Sequence, residues 1–140
     1  MGFKKRGEIV ILGFKKKVGD KPTNFKEKIL SFSKKHTIRE DKHDRWKQGR
    51  MIQFAYGVRT KQFEKFAEMP CLGIQKIRIV ISGFAPVFNQ IYVDGKEIVG
   101  YKLLNEFAKN DGFDSIEDFF KWFNKDFEGK IIHWTNHVRY

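Results

Sequence analysis

Cysteine is nearly missing from this chain of 140 residues: Cys71 stands alone, so no internal disulfide can form. Only three prolines occur, and no proline-, glycine- or serine-rich stretch divides the sequence into parts. No apolar run approaches the roughly 18 residues needed to cross a bilayer. The basic start, Met1-Gly2-Phe3-Lys4-Lys5-Arg6, precedes Ile9-Val10-Ile11-Leu12, but that apolar stretch is too short for a secretion signal and Lys15-Lys16-Lys17 ends it. Gly2 lacks the Ser or Thr that myristoylation wants at position 6, where Arg6 stands. The reading is a single cytosolic domain over residues 1–140, with no membrane partner.

What is present is charge and phenylalanine. The formal charge is +11, and residues 34–61 hold nine basic against three acidic side chains, a net +6. Residues 104–140 reverse the balance, with five basic and seven acidic. Such an uneven distribution predicts a basic face suited to an anionic partner, or else ordinary solubilising charge. Fifteen Phe supply much of the core, since each aromatic side chain buries roughly 150–250 Å².

The patterning predicts many short strands and two or three helices, an α+β fold with a mixed or barrel-like sheet. Strands are expected over residues 7–14, 51–58, 66–71, 74–81 and 130–134, with Ile77, Ile79 and Ile81 on one face. Asp94-Gly95 between short apolar runs signals a hairpin over residues 90–98. A helix is expected from Phe25, with Phe25, Ile29, Leu30 and Phe32 on its apolar face and the turn at residues 20–24 as its cap. Two more cover residues 100–109 and 115–124, the latter capped by Asp114 or Ser115 and burying a Phe stripe.

Lys34-Lys35-His36-Thr37-Ile38-Arg39 after the first helix, Trp46-Lys47-Gln48-Gly49-Arg50, Asp111-Gly112-Phe113 before a helix, and Ile131-Ile132-His133-Trp134 at the close together resemble the ASCH domain family across residues 25–137. That resemblance implies a PUA-like mixed β-barrel with two to three flanking helices and a cleft that holds RNA or a nucleoside. Small bacterial members deacetylate N4-acetylcytidine with a Lys, a Thr three residues later and a distant carboxylate. Carried over, these are Lys34, Thr37 and Asp111. The chain has Ser33 where the family favours Gly, and Asp111 where it favours Glu.

Chemically, Thr37 attacks only if a base takes its proton, and Lys34 serves if burial and the neighbouring Lys35 and Arg39 lower its pKa. Arg39 offers a planar fork to a carbonyl or phosphate. From spacing alone, solvated lysines and a β-forming Thr are the favoured account of the segment, and only the family resemblance brings a functional cleft level with it. Arg45, Lys47 and Arg59 suit phosphate contacts, and Trp46 and Tyr56 suit stacking on bases, although Trp46 also fits packing over a barrel mouth. His133 and His137 stand four apart, but in a strand pattern without carboxylate or Cys partners, so neither metal nor cofactor is expected.

Overall fold

The structure is a computed structural model and describes residues 8–140, so the basic start and Gly2 lie outside the described residues. It is mixed α+β, with ten strands and three helices among the described residues. In chain order these are β1 (Ile9–Phe14), β2 (Lys17–Val18), β3 (Lys21–Pro22), α1 (Phe25–Leu30), β4 (His36–Arg39), β5 (Met51–Tyr56), β6 (Glu64–Pro70), β7 (Gly73–Val80), β8 (Gln90–Val93), β9 (Lys96–Glu97), α2 (Tyr101–Asn110), α3 (Ile116–Trp122) and β10 (Phe127–His133).

Strand alternation sorts these residues into two cores. One three-stranded sheet runs β1-β5-β6, with β1 parallel to β5. A five-stranded sheet runs β4-β10-β7-β8-β9 and is antiparallel throughout. Ile74, Ile132 and Trp134 pack toward Val10, Leu12, Phe14 and Phe54 of the smaller sheet. From the opposite face, Ile77, Ile79 and Ile131 pack on Phe107 of α2 and Phe119 of α3.

The sheets are not closed into a barrel. On one side successive residues join them: Cys71 N–H donates to Arg50 O at 2.8 Å, and Leu72 N–H to His133 O at 2.9 Å. On the other side stand β1 and β4, both edge strands, with no ladder between them. Arg39 Nη2 donates to Gly13 O at 2.7 Å there, so a guanidinium occupies the seam that a backbone ladder would have filled.

Two local expectations change. Leu30 and Phe32 are exposed, because α1 ends at Leu30 and Phe32 turns away at φ 62°. Asn24 does not cap α1, since it lies in the left-handed region at φ 56°. Tyr56 Oη accepts the Lys26 N–H at 2.8 Å instead. The Asp94-Gly95 turn has φ of 50° and 81°, the two positive values that a tight right-twisted hairpin demands.

Candidate functional site

The open seam contains a cleft of about 190 Å³. Gly13 and Phe14 from β1, Thr37 and Arg39 from β4, Asp111 after α2 and Trp122 of α3 contribute to its lining, together with Lys34. Lys34, Thr37, Asp111 and Arg39 are therefore brought together, although Asp111 is 77 residues from Lys34 in the chain.

The loop between α1 and β4 is pinned at both ends. Lys34 N–H donates to Lys28 O at 2.9 Å, and Lys35 N–H to Asn110 O at 2.7 Å. Lys34 is consequently turned inward and is only 1 % exposed. Its Nζ donates to His36 O at 2.9 Å and to Asp111 O at 2.5 Å. It also stands over the Phe25 ring at 4.9 Å, with Phe14 and Trp134 slightly farther. The Asp111 carboxylate lies 3.9 Å away. Burial pushes the Lys34 ammonium down to about 8, against the opposing pull of Asp111 and with smaller help from Arg39 and Lys28.

Thr37 and Arg39, two apart on β4, face the same cleft as Lys34. Arg39 Nη1 donates to Thr37 Oγ1 at 2.8 Å, a bond that leaves the hydroxyl proton itself uncommitted. Desolvation lowers the guanidinium to about 10, so it stays cationic at neutral pH. The seam thus combines a cation of fixed geometry, a buried amine near its titration point and a hydroxyl. Amines and carboxyls with displaced pKa values cluster at functional sites, because burial and charge partners are what tune them.

The remaining candidates lie elsewhere, since none of Lys35, Arg45, Trp46, Lys47, Tyr56 and Arg59 lines the cleft. Trp46 and Tyr56 do not offer stacking faces. Trp46 is 5 % exposed within the core between the sheets, with its backbone N–H held by Asp41. Tyr56 is buried and its hydroxyl serves α1. Lys35 Nζ is occupied by Phe32 O at 2.9 Å. Arg45, Lys47 and Arg59 are exposed on loops outside the cleft.

His36, which sequence reasoning left without a task, is fully buried beside the site. Its Nδ1 is 2.9 Å from Asp111 Oδ1 and its Nε2 is 2.8 Å from Tyr140 Oη. Burial holds it below the ordinary histidine range despite the pull of Asp111. His133 lies on the helix-facing side, its Nε2 3.0 Å from Gln75 Oε1, while His137 is exposed. Among the described residues no group of three or more His, Cys, Asp or Glu is placed to hold a metal, and no helix is long and apolar enough to cross a membrane.

No protein family, no functionally described protein and no solved structure matches the chain.

Proposed function

We propose that the seam cleft binds a single nucleobase, either in a free nucleoside or turned out of an RNA strand, in a PUA-like domain of the ASCH type. The composition of the cleft carries this reading. Phe14, Phe25, Phe113 and Trp122 give it an aromatic lining, and Lys34, Thr37 and Arg39 add a few polar groups. That combination suits a flat heterocycle with polar edges. A volume of about 190 Å³ falls below the roughly 300–1,000 Å³ of pockets for drug-sized ligands, which favours one ring system. Arg39 supplies the donor for a base carbonyl or an adjacent phosphate. Calorimetric titration with cytidine, N4-acetylcytidine and a short single-stranded RNA tests the reading. Saturable binding that Arg39→Ala weakens at least tenfold is expected, and wild-type protein that binds none of the three overturns it.

The lowered pKa of Lys34 favours a second reading, hydrolysis of an acyl amide on the bound base. Lys34 in its amine form accepts the Thr37 proton as Oγ1 attacks the acyl carbon. Arg39 faces the resulting oxyanion. The C–N bond breaks, the proton passes to the leaving amine, and water then cleaves the Thr37 ester to release the carboxylic acid. N4-acetylcytidine should yield cytidine and acetate, with a rate that climbs as pH rises through about 8. Thr37→Val and Lys34→Met should each abolish release; turnover that survives Thr37→Val removes the nucleophile from this scheme.

A further inference from the structure

We infer that Asn110, Tyr140 and His36 form a one-directional chain of hydrogen bonds that holds the Asp111 carboxylate in place behind Lys34, making His36 a positioning residue of the cleft. This rests on reading Lys34 as the working group of the site.

The direction of the chain follows from which atoms own protons. Asn110 Nδ2 can only donate, and it faces Tyr140 Oη at 3.0 Å. The single proton of the Tyr140 hydroxyl is then left for His36 Nε2, 2.8 Å away. A neutral imidazole that accepts at Nε2 carries its hydrogen on Nδ1. Nδ1–H accordingly donates to Asp111 Oδ1 at 2.9 Å. Neutrality of the ring agrees with its complete burial against Phe107 and the edge of His133, with ring centres 5.4 and 5.2 Å away.

The consequence reaches Lys34. The Asp111 oxygen that accepts from His36 stands 3.9 Å from the Lys34 ammonium, at the outer limit of an ion pair and beyond hydrogen-bond reach. Lys34 spends its donors on two backbone carbonyls instead. The other charged groups whose fields reach these side chains are Arg39 and Lys28 at Lys34, Lys35 at His36, and Glu106 at Tyr140. Among the described residues only Asp111 is both anionic and in contact with the pair. Its orientation therefore decides how firmly the proton on Lys34 is held.

Two measurements on the intact chain test the inference without any need for turnover. Long-range 1H–15N spectra of the wild type should show His36 protonated at Nδ1, and Tyr140→Phe, which removes only the donor at Nε2, should leave that tautomer in place because Asp111 still accepts at Nδ1. An Nε2–H ring in the wild type overturns the proposal. The Lys34 Cε–Hε signals, followed against pH, give its titration midpoint. His36→Asn keeps a side-chain N–H where Nδ1–H stood and should leave that midpoint unchanged. His36→Leu frees the carboxylate to close on Lys34 and should raise it by about one pH unit. Identical midpoints in the two variants also overturn the proposal. Should a variant fail to fold, the wild-type tautomer still decides, and a cleft that binds no nucleoside leaves this result intact.

Discussion

Gly112 sits at φ 94°, and a Cβ built on it would come within 2.8 Å of the Lys34 stem. Two demands meet at this residue: a left-handed turn out of α2, and room for a buried lysine to lie across the backbone. Gly112→Ala should therefore lower stability by about 1–3 kcal/mol and displace Lys34 from its two carbonyls. Urea denaturation measures the first effect, and the Lys34 titration midpoint, moving back toward 10.5, measures the second. At this scale Asp111-Gly112-Phe113 could be picked out of the sequence, because an acidic residue and a glycine stand just ahead of a helical pattern. His36 could not. Along a strand neighbouring side chains face opposite ways, so a motif that turns Thr37 to the seam sends His36 to the helices. Its partner there, Tyr140, is 104 residues distant. For Trp46 the packing alternative holds, and stacking faces at Trp46 and Tyr56 are not found, because basic neighbours say nothing about whether an aromatic side chain is buried.

Among the elements, α1 is the clearest case of a helix completed from outside. Its first turn takes the acceptor of a distant strand, Tyr56 on β5, in place of an N-cap side chain. Tyr56→Phe keeps the ring and removes that acceptor, and should cost about 1 kcal/mol. α3 is built locally, with Ser115 Oγ accepting the Asp118 N–H at 3.2 Å, so Ser115→Ala should also cost about 1 kcal/mol. Both losses should appear as lower urea midpoints with unchanged slopes; no change in the Tyr56→Phe midpoint would mean that water replaces the hydroxyl. The same contrast explains what was legible. The α3 cap, the Asp94-Gly95 hairpin and the alternation of β7 are written in adjacent residues. The end of α1 and the open seam are set by contacts between residues far apart, which composition and periodicity do not encode.

For the molecule as a whole, pH should act mainly through buried histidines. Burial pushes His133 from 6.5 down to about 3, and His36 also lies below its ordinary value. Below about pH 6.5 the unfolded chain therefore binds protons that the folded chain refuses. Stability should fall as pH drops toward about 3, by up to about 1.4 kcal/mol per pH unit for His133, and His36 adds a loss of the same sign. His133→Gln, which keeps a polar group toward Gln75, should flatten this slope between pH 6 and 4; an unchanged slope would place the acid sensitivity elsewhere. The charge pattern of residues 34–61 is similarly redistributed by folding. Lys34 and Arg39 turn into the seam, while Asp41 and Asp44 of this segment are engaged by Lys130 of β10. Two of the nine cations of this segment thus belong to the cleft rather than to an open surface.

β10 lies between β4 and β7, yet it follows both in chain order. On a ribosome, β4 emerges early and waits with neither edge paired, because its neighbour is synthesised about ninety residues later. Until then the stretch carrying Lys34, Thr37 and Arg39 has no sheet to rest on, and Asp111 has nothing to face. The β4 wall of the cleft therefore gains its sheet partner only once the strand at residues 127–133 has been made.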